Sequence, residues 1–183
     1  MSRRDDITRV ATQAIQSGGL GSVSFRTLAD AVGVKSASVH YHFPTKMDLA
    51  VAVVEGYAED FRTQLKAIER QHSSVSGRVG GFIDLFEAVL DRDELCLCGM
   101  MAADAAALDA PTRRALADFF TDSQAWLTRQ LKENKADCRL PLPSATLAEV
   151  LMSGLEGALL LDRVEDRRDR ISAFRTLVSA LWP

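Results

Sequence analysis

The stretch Ser24-Phe25-Arg26-Thr27-Leu28-Ala29-Asp30-Ala31-Val32-Gly33-Val34-Lys35-Ser36-Ala37-Ser38-Val39-His40-Tyr41-His42-Phe43 decides the fold. Its spacing predicts two short helices meeting at Gly33. Phe25, Leu28, Ala29 and Val32 share one face of the first. Ala29 is small, so the next helix can cross it closely. Gly33 permits the positive φ that a tight turn between angled helices requires. Val34 and Val39 are apolar plugs between the two. The second helix is expected from about Ser36 to Phe43, with Pro44 ending it. Ser36, Ala37 and Ser38 stand at its N-terminal end. In a helix lying in a major groove those positions reach base edges, and short side chains allow close approach. Arg26, Lys35, Tyr41, His42 and Lys46 are donors of different lengths around it. A helix–glycine–helix is common in all-α proteins. The turn glycine combined with an aromatic-rich ending and a lysine directly after a helix cap makes this one specific.

Reading outward, apolar residues recur at helical spacing nearly everywhere. Ile7, Val10, Ala11, Ala14 and Ile15 mark a helix before the quoted stretch. Ser2 to Asp5 fits a capping box at its start, and Gly18-Gly19 ends it. Thr45 caps a long helix after the stretch, with Asp48 at the fourth position of its box, and Leu49, Val53, Tyr57, Phe61, Leu65 and Ile68 stack along it. The amides at Thr45-Lys46 are expected to face a phosphate. A Ser-rich break at 73–77 precedes a helix of Val79, Phe82, Ile83, Phe86 and Leu90. A short helix is expected over about Gly99–Leu108. Pro111 suits the first turn of the next, which carries Leu116, Phe119, Phe120, Trp126 and Leu131. Pro141 and Pro143 break the chain. Ser144 then caps a helix of Leu147, Val150, Leu151, Gly154, Leu155 and Ala158, and a last helix shows Ile171, Phe174, Leu177, Val178 and Leu181. No period-2 stretch appears. The expectation is an all-α chain of about nine helices, divided into residues 1–46, a three-helix helix-turn-helix domain, and 47–183, entered through the long linking helix.

Composition bounds the function. The 183 residues are 47% hydrophobic and 26% charged, enough to bury a core. The net charge of −3 and pI near 5.6 exclude a grip on nucleic acid through bulk basicity. The charge is uneven, however: residues 1–49 hold six basic side chains against four acidic ones, a slightly basic head on an acidic body. Cys96, Cys98 and Cys138 are too few and too odd for a disulfide framework. No signal-peptide core or apolar run of about 18 residues is visible, so the chain reads as cytoplasmic, without a membrane. No cofactor is implied. An enzyme is not supported: Gly18-Gly19-Leu20-Gly21 lacks the Lys-Ser/Thr of a phosphate-binding loop, and three histidines leave little for acid–base work. A metal site is not supported either. His40 and His42 are two apart on a helix and point to different sides, and Cys96 and Cys98 have no partners to complete four ligands.

Ala29-Asp-Ala-Val-Gly-Val34, with Tyr41-His42-Phe43-Pro-Thr-Lys46 and Leu49, resembles the DNA-binding domain of TetR-type bacterial transcriptional regulators. The match covers roughly the first quarter of the chain. The layout of three short helices, a long linking helix and a helical body is similar too. The resemblance implies a homodimer that binds a palindromic double-stranded operator and releases it when a small-molecule inducer occupies the C-terminal ligand-binding and dimerisation domain. Most members are repressors. The candidate DNA-binding set is Arg26, Thr27, Lys35, Ser36, Ala37, Ser38, His40, Tyr41, His42 and Lys46. Within it Arg26, Ser36 and Ser38 are assigned to the groove, and Tyr41, His42 and Lys46 mostly to the backbone. His40 departs from the tyrosine usual in the family.

Cys96-Leu97-Cys98-Gly99 resembles a Cys-Leu-x-Gly motif at the start of the sixth helix in one branch of the family, with Cys98 and Met100 as departures. Some members of that branch sense electrophiles or oxidants through cysteine, so a thiol-based sensor acting through Cys96 is the alternative to a reversible inducer. Plain packing is the commoner role of a free cysteine. Phe61, Phe82, Phe86, Cys96, Met100, Met101, Phe119, Trp126 and Met152 are candidates to line an apolar ligand pocket, and serve a plain core equally well. Glu156, in a mostly apolar helix, is a candidate polar contact to a ligand or to the partner subunit. The last two helices look built for association. Leu151, Gly154, Leu155, Ala158, Phe174, Leu177, Val178 and Leu181 are the candidate dimer set, two helices from each subunit making a four-helix interface about a two-fold axis.

Overall fold

The computed structural model describes residues 2–133 and 138–182. Among them it contains nine α-helices and no strand. The chain divides into two compact units. Unit 1 comprises Met1–Phe61 and Cys96–Phe119, and unit 2 comprises Arg62–Leu95 and Phe120–Pro183.

Unit 1 opens with α1 (Arg3–Gly18). The Ser2 hydroxyl accepts from the Asp5 amide at 3.2 Å and the Asp5 carboxylate accepts from the Ser2 amide at 2.8 Å, the reciprocal box expected from the sequence. Gly19 ends the helix at φ +74°. A 3-10 turn at Leu20–Ser22 leads to α2 (Phe25–Val32), capped by the Ser24 hydroxyl, which accepts from the Thr27 amide at 3.1 Å. Then follow α3 (Ser36–His42) and α4 (Lys46–Gln71). Phe43, held extended before Pro44, stops α3. Ile7, Ala11 and Ile15 of α1, Leu28 and Ala29 of α2, Val39 of α3 and Leu49 and Val53 of α4 are buried. The division between the units falls within α4, after Phe61.

Unit 1 is completed by α6 (Leu97–Ala103) and the first part of α7 (Ala110–Glu133). The sequence suggested one helix over about Gly99–Leu108. Instead α6 starts two residues earlier, with Cys96 at its cap position, and stops at Asp104. The Asp104 amide bonds to the Met101 carbonyl at 3.1 Å, tightening the last turn, and a separate 3-10 turn follows at Ala105–Ala107. The short side chain of Asp104 favours such an end over helix continuation. Asp109 caps α7, accepting from the Thr112 amide at 3.0 Å. α6 packs against α1.

Unit 2 contains α5 (Val75–Leu90), α8 (Ser144–Glu165) and α9 (Asp169–Leu181), which pack on one another, together with the remainders of α4 and α7. Its buried centre includes Val79, Phe82, Ile83 and Phe86 of α5, Trp126 and Leu131 of α7, Leu147, Leu151 and Leu155 of α8, and Ile171 and Val178 of α9. The Phe82 and Trp126 rings stack at 5.7 Å. Arg175 of α9 bonds Asp84 and Glu87 of α5, and Arg78 of α5 bonds Gln130 and Glu133 of α7. By length and composition α8 is long and apolar enough to cross a membrane, which the sequence reading did not anticipate because Glu149 and Glu156 interrupt the apolar run. Its stripe of Leu147, Leu151, Leu155 and Leu159 is buried within unit 2, as in the core helix of a folded domain.

Candidate nucleic-acid interface

The turn between α2 and α3 has the geometry its sequence requires. Gly33 sits in the left-handed region at φ +71°, ψ +40°. Its amide bonds to the Asp30 carbonyl at 3.3 Å, and the Val34 amide bonds to the Ala29 carbonyl at 2.9 Å. These two bonds form a Schellman motif, which satisfies the last carbonyls of α2 and turns the chain in three residues. Ala29 and Val39 are buried where α2 and α3 meet. Packing from one side pushes the polar residues of α3 to the other.

Most of the candidate DNA-binding residues stand on the surface. Arg26, Thr27, Lys35, Ser36, Ala37, His40 and Tyr41 are exposed, whereas Ser38, His42 and Lys46 are half-buried. Tyr41 is 84% exposed, an unusual position for a large aromatic ring. The His40 ring meets Phe25 of α2 edge-on at 4.6 Å, and Tyr41 meets His42 edge-on at 5.3 Å. His40 is thereby braced against α2. The Thr27 hydroxyl is engaged locally, donating to the Ser24 carbonyl at 2.9 Å. On the other side of α3 the Arg4 guanidinium lies 5.0 Å over the Phe43 ring, tying α1 to the end of the helix.

The start of α4 differs from the sequence expectation in one respect. Thr45 and Asp48 close a capping box: the Thr45 hydroxyl accepts from the Asp48 amide at 3.1 Å, and the Asp48 carboxylate takes the Thr45 amide at 2.9 Å and hydroxyl at 2.7 Å. A carboxylate therefore already occupies this helix end, and Lys46 carries the positive charge there.

The ten candidate ligand residues fall five to each unit. Phe61, Cys96, Met100, Met101 and Phe119 belong to unit 1, and Phe82, Phe86, Trp126, Met152 and Glu156 to unit 2. In unit 1 the Tyr57, Phe61 and Phe119 rings cluster, Phe61 meeting Phe119 at 5.1 Å, and the Tyr57 hydroxyl lies 3.8 Å from the Cys96 sulfur. The Met100 methyl lies 3.6 Å from where a Cβ on Gly19 would stand, at the place where α6 packs against the end of α1. Cys96 and Cys98 are buried. In unit 2 Phe82, Phe86, Trp126 and Met152 are buried and Glu156 is half-buried. A groove of about 600 Å³ in unit 1 is lined instead by polar residues of α1 and α4, among them Arg9, Gln13, Glu55 and Asp60.

Of the candidate dimer residues, Leu151, Leu155, Ala158, Val178 and Leu181 are covered within the chain itself, Gly154 and Phe174 are half-buried, and Leu177 is 42% exposed. That set leaves out the outer face of α8. Val150, Leu160, Leu161 and Val164 are exposed there. Val164, three residues from Leu161 and four from Leu160, was the available signal, hidden because α8 is apolar on both faces.

Residues 7–53 match the family described as bacterial regulatory proteins, tetR family, and residues 78–176 match the C-terminal domain of LmrA/YxaF-like transcriptional regulators. The chain belongs to the TetR family. A TetR transcriptional regulator from Legionella pneumophila has a similar structure, with a TM-score of 0.91 and 30% identity, 98% of this chain covering 97% of that one. A TetR-family regulator from Agrobacterium tumefaciens superposes with a TM-score of 0.92 at 25% identity, over 99% and 98% of the two chains. The nucleoid occlusion factor SlmA of Marinomonas sp. (strain MWYL1) is 24% identical over 99% of this chain and 89% of its own length. The HTH-type transcriptional repressor KstR2 of Mycolicibacterium smegmatis is 27% identical over 50% of this chain and 45% of its own. This TetR-family chain is thus a transcriptional regulator with an N-terminal DNA-binding helix-turn-helix and a C-terminal regulatory domain.

Proposed function

We propose that this TetR-family protein is a homodimeric, ligand-responsive repressor, not an enzyme, working in the cytoplasm on a palindromic operator and released by a small-molecule inducer. The observation that carries the reading is the α2–α3 pair: with a Schellman turn at Gly33 and with Ala29 and Val39 buried, Ser36, Ala37 and Tyr41 stand exposed. The likeness to the transcriptional repressor KstR2 supports repression. Arg26, Ser36 and Ser38 read bases, with Thr27, Lys35 and Ala37 beside them. Tyr41, His42 and Lys46 hold phosphates, and His40 adds a contact braced by Phe25. Residues 1–46 form the reading head and 47–183 the sensing and dimerising body. Two heads fit successive major grooves only when about 34–36 Å apart, so a small change of pose releases DNA. Contact between α6 and α1, with Met100 on Gly19, gives a bound inducer a route to the head.

Selection of bound duplexes from a random pool tests this reading. An inverted repeat is expected, and recovery of no symmetric sequence would overturn it. Lys46→Ala is expected to weaken binding at every sequence and to lower the salt slope by about one. Ser38→Ala and Arg26→Ala are expected to change sequence preference; a uniform loss would remove them from the base-reading set. The thiol-sensor alternative through Cys96 has less support, because Cys96 and Cys98 are 3% and 0% exposed. Release by a thiol-blocking reagent that is lost in Cys96→Ser would reverse that order.

A further inference from the structure

Arginine is used differently at the two ends of the chain. In unit 2 the guanidinium groups sit on carboxylates: Arg78 on Glu133, Arg129 on Glu69, Arg170 on Asp162 and Glu165, and Arg175 on Asp84 and Glu87. Within the first 46 residues the four arginines Arg3, Arg4, Arg9 and Arg26 form no ion pair among the described residues.

Arg4 differs from the other three because its head group is held. The guanidinium lies 5.0 Å over the ring of Phe43, the 1% exposed residue that stops α3. A ring face attracts the cation without using its N–H donors. None of those donors makes a hydrogen bond among the described residues. Asp5, next in the chain, turns back instead to the Ser2 amide at 2.8 Å. Glu55, Glu59 and Asp60 share a groove with Arg4, yet none of them pairs with it. Arg4 is exposed. An arginine is thus fixed at the surface with its whole donor edge open. Its planar fork matches two oxygens of a phosphate, and holding the fork in advance lowers the ordering cost of binding one.

The place matters as much as the geometry. Phe43 follows His42 directly and stands three residues before Lys46. The Thr45–Asp48 box occupies the start of α4, so positive charge here comes from side chains. Arg4 brings one to the end of α3 from α1, about forty residues earlier in the chain.

We infer that Arg4 grips a backbone phosphate of the operator, adding α1 to a DNA-contacting surface otherwise built from α2, α3 and the start of α4. The inference rests on the DNA-binding reading and extends its contact set. A phosphate contact carries no base information, so Arg4 adds affinity at every sequence.

Binding of the full chain to the inverted-repeat duplex recovered by selection tests the contact. Arg4→Met keeps an unbranched stem over Phe43 while removing the charge and the fork, and circular dichroism checks its fold. It is expected to bind on the order of tenfold more weakly, with a salt slope lower by about one for each bound head and an unchanged sequence preference. Arg4→Lys is expected to restore the slope and only part of the affinity, because lysine lacks the fork. Neutral methylphosphonates, placed at one backbone position at a time, separate contact from bracing. One position in each half-site is expected to weaken wild-type binding and to have no further effect on Arg4→Met. Wild-type affinity and slope in Arg4→Met would overturn the contact. So would a weakened Arg4→Met that keeps the wild-type sensitivity at every phosphate, since Arg4 would then only brace α3. A wild type that binds no symmetric duplex would overturn the DNA-binding reading itself, and this contact with it.

Discussion

At the scale of single residues, glycine carries different duties at different positions. Gly33 has space for a side chain, since nothing lies within 4 Å of a built Cβ, yet its φ of +71° excludes most residues. The constraint there is backbone strain and not crowding. Gly33→Ala is expected to cost about 1–2 kcal/mol, because an L side chain in the left-handed region meets its own carbonyl. Gly33→Asn is expected to cost less, since asparagine tolerates that region. Denaturant unfolding followed by circular dichroism, compared across the two variants, checks the ranking. Equal stability of the alanine variant and wild type would show that the turn relaxes. The duties of Gly19, Gly33 and Gly154 differ in kind, and only the first two were legible as helix stops. The need for Gly154 arises from Phe174, twenty residues away on another helix, which no local pattern announces.

At the scale of elements, the α8–α9 hairpin is held by one buried carboxylate. Asp162 is fully buried near the end of α8. It accepts from the Arg170 guanidinium at 3.0 Å and from the Ile171 amide at 3.3 Å, both on α9. Its own carbonyl accepts the Arg167 amide at 2.9 Å, across a turn in which Asp166 takes φ +50°. Asp162→Ala leaves the Ile171 amide without this partner inside the fold. The expected loss is about 2 kcal/mol, read as a lower urea midpoint with an unchanged slope. Arg170 keeps Glu165, which limits the loss. A variant as stable as the parent would show that water reaches the site. This hairpin presents the outer face of α8, so the same substitution is expected to loosen any contact made through that face.

At the scale of the whole molecule, the acidic groups with displaced titrations all move the same way. Hydrogen bonding to Arg129 holds Glu69 below its ordinary value of 4.5, with Gln130 and Trp126 adding to it. Hydrogen bonding to Arg170 lowers Glu165, and to Arg167 lowers Asp169. The Ser2 amide and hydroxyl lower Asp5, and the Thr112 hydroxyl and amide lower Asp109. A carboxylate whose pKa is lower in the folded chain binds fewer protons there than when unfolded. Its contribution is complete above the unfolded value and is lost as pH falls through the folded one. Urea midpoints are therefore expected to be flat with respect to these groups above about pH 4.5 and to fall progressively below it. Four of the five groups, Asp5, Asp109, Glu165 and Asp169, stand on the surface, so the decline is expected to shrink in added salt. A midpoint that rises on acidification would contradict the sign.

Local pattern by itself determined most of the architecture. Caps at Ser2, Ser24, Thr45 and Ser74, stops at Gly19, Gly33 and Pro44, and a helical period throughout are short-range features, and each acts through bonds between residues a few positions apart. The candidate DNA-reading surface was legible for the same reason, since α2, its turn and α3 are contiguous in the chain. Tertiary packing decided the rest. It divided the candidate ligand residues between two units and chose which face of α8 stays outside. That helix is apolar all round, so its periodicity alone does not say which side is buried. Contact with α5 and α9 removes one side from water and leaves Val150, Leu160, Leu161 and Val164 on the other.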